Sequence, residues 1–99
     1  MAFRIRYAIE AQKDIDRLFD FWLEQDVATA MKMLEVMDQA ATLLQIFPFS
    51  CRKASEENHF LRELLIPFGS AGYVALFEIE DSGTVTILAV RHQREEDFH

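Results

Sequence analysis

The sequence predicts an α+β domain: an N-terminal helical hairpin packed on one face of an antiparallel sheet, in the order strand, helix, helix, strand, strand, strand. Three observations carry that prediction. The runs Tyr73 to Glu80 and Thr84 to Arg91 are rich in β-branched and aromatic residues and flank the turn residues Asp81, Ser82 and Gly83. Ahead of them, from about Ala11 to Phe47, apolar residues recur at helical spacing in two stretches joined by the short link Glu24-Gln25, which calls for an antiparallel helical hairpin. The chain has 99 residues, 51% of them hydrophobic, enough for one domain over 1–99 burying roughly 65% of its unfolded surface.

The elements follow in order. Phe3, Ile5, Tyr7 and Ile9 alternate with Arg4, Arg6 and Ala8, the pattern of a half-buried strand with a basic outer face. In the first helix Ile15, Leu18, Phe19, Trp22 and Leu23 share a stripe, while Lys13, Asp14, Asp16, Arg17 and Asp20 take the solvent side. Phe21 falls off the stripe, as a peripheral core residue or a partner contact. Asp26 is placed to cap the second helix. That helix carries one row of Val27, Ala30, Met31, Leu34, Met37, Ala41 and Leu44 and another of Met33, Val36, Ala40, Leu43 and Phe47. Two rows are more than a single sheet face can cover. Pro48 ends the helix.

Residues 49–58, with Arg52, Lys53, Glu56 and Glu57, read as a charged loop. His59 to Ile66 reads as a strand in which Arg62 shares a side with Phe60 and Leu64, a choice a simple core strand would not make. Pro67 to Gly72 then form the turn into the C-terminal hairpin, with Gly69 and Gly72 relieving the backbone.

For that hairpin, a three-residue loop with Gly83 in the left-handed conformation pairs Glu80 with Thr84. One face then joins Ile79 with Val85, Phe77 with Ile87, Ala75 with Ala89 and Tyr73 with Arg91. The other joins Glu78 with Thr86, Leu76 with Leu88 and Val74 with Val90, leaving a partly apolar patch beside His92 and Arg94.

Composition excludes several classes. A formal net charge of -7 disfavours autonomous binding to nucleic acid, which depends on neutralising phosphates. Cys51 is alone, so neither an internal disulfide nor a cysteine cluster is available, in keeping with a reducing compartment. No apolar run approaches the roughly 20 residues of a membrane helix, and the start alternates like a strand instead of a signal peptide, so a cytoplasmic protein is expected. His59, His92 and His99 stand at no ligand spacing, and neither a metal nor another cofactor is expected.

The element order, the phrase Phe60-Leu61-Arg62-Glu63-Leu64 followed by Gly72-Tyr73, and the ending from Val85 to Glu95 together resemble the RelE/ParE superfamily of type II toxin-antitoxin toxins, over essentially the whole chain. The resemblance implies the fold just described and a cognate antitoxin that wraps and neutralises the toxin in a hetero-oligomer. It also implies one of two targets. In the ribosome-dependent messenger RNA endoribonucleases, Gly-Tyr is usually followed by an arginine that holds the scissile phosphate, and the chain often ends on a catalytic tyrosine or histidine. Here those places hold Val74 and the ending Asp97-Phe98-His99. The ParE branch, gyrase inhibitors without recognised catalytic residues, is similar in its His92-Gln93-Arg94 exit.

The leading expectation is therefore a non-enzymatic toxin that binds DNA gyrase, with Tyr73, Arg91, His92 and Arg94 as target contacts. Met33, Val36, Ala40, Leu43, Val74, Leu76 and Val90 would meet the antitoxin. The alternative is a ribosome-dependent ribonuclease using Arg62, His92, Arg94 and His99, and a third reading is a folded domain that has lost toxicity. No membrane partner is expected.

Overall fold

The structure, a computed structural model, describes residues 2–93. Strand β1 spans Arg4–Tyr7, helix α1 Ile9–Gln25 and helix α2 Val27–Ile46. A single 3-10 turn at Pro48–Ser50 leads into a two-residue strand, β2, at Arg52–Lys53. Strands β3 (Leu61–Phe68), β4 (Ala71–Asp81) and β5 (Thr84–His92) complete a sheet of order β1-β5-β4-β3-β2.

The sheet is mixed, which corrects the antiparallel expectation: β1 runs parallel to β5, with Ile5 beside Val85 and Tyr7 beside Ile87, while the other pairs are antiparallel. Parallel neighbours need a crossover connection. Here nearly the whole chain, helical hairpin included, is that connection, so β1 enters the far edge in the same direction as β5.

The helices cover one sheet face. Leu18 and Ala11 of α1 and Met33, Met37 and Leu44 of α2 meet Tyr73, Ala75, Phe77 and Ile79 of β4 and Val85, Ile87 and Val90 of β5. Met33, Leu44, Phe77 and Val85 are completely buried. At about 1.5–3 kcal/mol for each fully buried large apolar side chain, this layer is the main source of stability.

Asp26 stands alone between the helices with the extended backbone of an N-cap, and its carboxylate accepts the Thr29 hydroxyl at 2.6 Å. That bond holds its carboxyl below the usual range, and the nearby amides of Ala28 and Thr29 add to the effect.

The C-terminal hairpin follows the expected register only near its tip. Ile79 faces Val85, Glu78 faces Thr86 and Phe77 faces Ile87, but Leu88 is then left over, and beyond it the partners are Leu76 with Ala89, Ala75 with Val90, Val74 with Arg91 and Tyr73 with His92. A bulge has slipped the strand by one residue. Because a one-residue slip exchanges faces, Val90 turns into the core and Arg91 no longer meets Tyr73. At the tip Asp81 pairs with Thr84 and Glu80 is the odd residue. Asp81 Oδ1 accepts the Gly83 amide at 2.8 Å, and this side-chain bond makes the turn without a left-handed Gly83. Among the described residues positive φ occurs at Gly69 (61°), in the β3–β4 turn.

The charged loop also contains more order than its composition shows. Arg52 and Lys53 pair with Glu63 and Arg62 along the β3 edge, and the Arg52 Nε to Glu63 Oε1 distance is 3.0 Å. Arg62 explains its own odd placement. From a core-side position opposite Phe77 it turns outward, donating to the carbonyls of His59 (2.7 Å), Cys51 (2.9 Å) and Phe49 (3.2 Å), with its guanidinium over the Phe49 ring.

Candidate partner-binding site

The end of the sheet where β5 leaves is built around Tyr73. Its ring is fully buried, with the Phe68 centroid at 5.6 Å and the His92 ring edge-on at 5.8 Å. The Trp22 indole donates to its hydroxyl at 2.7 Å, tying the end of α1 to the sheet across 51 residues of sequence. Phe21, off the helical stripe and 54% exposed, stands edge-on to Trp22 at 5.1 Å. Gly72 precedes Tyr73 because a Cβ there would come within 2.4 Å of the Ile66 carbonyl oxygen. The Gly-Tyr pair thus lets β3 close over the tyrosine.

Beside this cluster lies a cavity of about 500 Å³ lined by Arg17, Phe21, Trp22, Ser70, Tyr73 and His92. The proposed target contacts therefore separate. His92 is half-buried at the cavity wall, Tyr73 is a core residue facing His92 instead of Arg91, and Arg91 stands opposite Val74 on the sheet face away from the helices. Arg94 and His99 lie outside the described residues.

A second concavity follows α2. Val36, Ala40 and Leu43 face Leu64, Leu65 and Pro67 of β3 across a groove of about 380 Å³. An adjoining cavity of about 440 Å³ shares Val36 and Pro67 with it and reaches Lys32, Phe68 and His92, so the groove runs on to the aromatic cluster. Beyond Glu63 the β3 edge has no partner strand among the described residues, since β2 pairs only with Arg62 and Glu63. Of the residues expected to meet an antitoxin, Val36, Ala40 and Leu43 come together here. Met33 (0% exposed) and Val90 (1%) are core residues with no surface to offer, Val74 (5%) is nearly as buried, and Leu76 is half-buried on the sheet face away from the helices.

Sequence reading missed the β3 wall of this groove. Leu65 is 45% exposed in a strand that is apolar on both faces. That double apolar pattern was the available signal. Among the described residues no group of His, Cys, Asp and Glu side chains is arranged to hold a metal. Burial pushes the Cys51 thiol up, with Arg62 partly opposing, so the thiolate needed for nucleophilic chemistry is disfavoured.

The chain matches the family model described as "ParE toxin of type II toxin-antitoxin system, parDE" over residues 5–97. It belongs to the ParE toxin family. A solved structure described as the chromosomal ParDE TA system from P. aeruginosa is similar in fold, with a TM-score of 0.73 and 17% identity, covering 92% of this chain and 96% of that one. No curated protein sequence matches. In a toxin-antitoxin family an antitoxin is the partner to look for, and the α2–β3 groove is an apolar concavity bordered by an open strand edge among the described residues. No helix of this ParE-family chain is long and apolar enough to cross a membrane among the described residues.

Proposed function

We propose that this ParE-family chain is the toxin of a two-protein module, held inactive by a cognate antitoxin, and that when released in the cytoplasm it acts by binding DNA gyrase, not by cutting messenger RNA. One observation carries the choice of target. Where the related ribonucleases place a phosphate-holding arginine, this chain has Val74, an uncharged side chain that is 5% exposed and offers a phosphate neither charge nor hydrogen bond. Arg62, the cation of the ribonuclease reading, is engaged with three backbone carbonyls and pairs with Phe77, four residues from Tyr73 and on the order of 13 Å along the strand. Phosphoryl transfer needs cations and proton-transfer groups converging on one phosphate, and a chain of net charge -7 gains little from a phosphate-rich ribosomal site.

The test is expression of the chain alone in bacteria with two readouts. Gyrase-linked DNA breaks with a DNA-damage response are the expected result. Cleavage of translated messages that disappears in His92→Ala, with gyrase unaffected, would replace this reading with the ribonuclease one. The antitoxin is read as a segment that orders on contact, laying apolar anchors along Val36, Ala40 and Leu43.

A further inference from the structure

Among the described residues, strand β5 has a strand neighbour on its outer edge as far as Ile87. There Tyr7 ends β1, and the Ala8 amide makes the last bond to the strand, donating to the Ile87 carbonyl at 2.9 Å. Past this point come the Leu88 bulge and then Val90, whose amide points away from β4 and donates to the Asp14 carboxylate at 2.9 Å. Asp14 lies three residues after Ala11 and four before Leu18, on the side of α1 that meets the sheet, and its side chain is 19% exposed. Its other oxygen is 3.9 Å from the Arg17 guanidinium, which lines the same cavity as His92.

From this geometry we infer that Asp14 is a positioning residue for the target-contact end of β5: past the end of β1 its carboxylate takes the Val90 amide, holds the bulge in place, and so sets which face Arg91 and His92 present. A carboxylate accepting from a shielded amide is among the stronger hydrogen bonds a side chain makes. The bulge needs it because an extra residue leaves the ladder locally unpaired. With the Val90 amide held by α1, Val90 points into the core, Arg91 to the face away from the helices and His92 onto Tyr73. A slip that removed the bulge would put Arg91 opposite Tyr73 and pull Val90 out. That Arg91 and His92 contact gyrase rests on the function proposed above. That Asp14 sets their orientation does not.

The experiment compares Asp14→Ala, Asp14→Asn and Ile5→Ala, the last a destabilised control in β1, remote from the strand end. Amide hydrogen exchange at Val90, the ring-proton NMR shifts of His92, thermal stability and affinity for purified gyrase are measured on each full chain. In Asp14→Ala, Val90 exchange is expected to rise about tenfold relative to the β3 and β4 amides, with a shifted His92 ring and gyrase affinity about tenfold below that of Ile5→Ala at equal stability. Asp14→Asn, which keeps an acceptor oxygen, restores most of each, and Asp14→Leu, similar in shape but without an acceptor, serves in place of Asp14→Ala should that variant not fold. Unchanged Val90 exchange and His92 shifts overturn the positioning role, as do equal affinity losses in Asp14→Ala and Ile5→Ala. If the wild-type chain does not bind gyrase, the target reading fails while exchange and ring shifts still decide the role of Asp14.

Discussion

Gly72 shows how one residue can carry a motif for reasons of packing alone. The Ile66 carbonyl oxygen would lie 2.4 Å from a Cβ at this position, and both groups are backbone, so neither can step aside without moving a strand. Gly72→Ala is expected to lose roughly 1–3 kcal/mol in urea unfolding, the usual cost of overpacking. A loss under about 0.5 kcal/mol would mean that β3 and β4 separate more easily than their pairing implies. Asp26 makes a separate, titratable contribution. Its folded carboxyl sits below the unfolded value of 3.8, so its stabilisation is present above that pH and fades as pH falls through the folded value. Thr29→Ala, which removes the first cause of the lowering, should flatten the acid limb of a stability profile below about pH 4, and an unaltered limb would count against that assignment.

At the scale of elements, Arg62 and the β5 bulge decide what the edges look like. Arg62 gathers the carbonyls of Phe49, Cys51 and His59 and thereby fastens the 3-10 turn and β2 to the start of β3. Arg62→Ala should cost about 1.5–3 kcal/mol, the range for hydrogen bonds to a charged group. Limited proteolysis should then cut between residues 50 and 60 while the core persists. Cutting elsewhere, or none, would show that the loop is held by its own contacts. The bulge acts through phase. Deleting Leu88 would remove the extra residue and leave Leu76 opposite Ala89 and Ala75 opposite Val90. A deletion variant should therefore keep Val90 in the core and melt within a few degrees of the parent, read by circular dichroism; a marked drop would show that the bulge itself is needed for the fold.

For the whole molecule, the contrast between core and groove separates folding from partner binding. Met33 and Leu43 both follow from the apolar pattern of α2, yet one is fully buried and the other is 41% exposed at the groove mouth. Met33→Asp should therefore abolish folding, since an unpaired charge in a core costs several kcal/mol. Leu43→Asp should leave the melting temperature within a few degrees and weaken co-purification with an antitoxin about tenfold or more, the scale of a truncated anchor. Equal co-purification of Leu43→Asp and wild type would move the interface elsewhere, with the sheet face away from the helices, around Leu76, next to be tested.

Much of this could be read from the chain because it depends on short-range periodicity. Helical spacing of Ile15, Leu18 and Trp22, alternation through Tyr73 to Ile79, and the turn residues after Glu80 placed the helical hairpin, the last hairpin and the near-turn pairs Ile79–Val85 and Phe77–Ile87. The pair Gly72-Tyr73 and the layout pointed to the family. The remainder depended on distance in space, which local pattern does not encode. Leu88 is apolar whether or not it bulges, so nothing around it announced the slip that turned Val90 inward and Arg91 outward. Asp14 looked like one more solvated acid until the end of β1 left a strand amide for it to satisfy. The parallel seat of β1 was likewise settled by which sheet edge remained open once β3, β4 and β5 had paired. Sequence alone thus determined the elements and their apolar faces, because propensity and period act between near neighbours. Only the tertiary structure decided which apolar residues face a partner and which polar ones hold the strand ends, because those roles fall to whatever backbone and surface the packed elements leave unpaired.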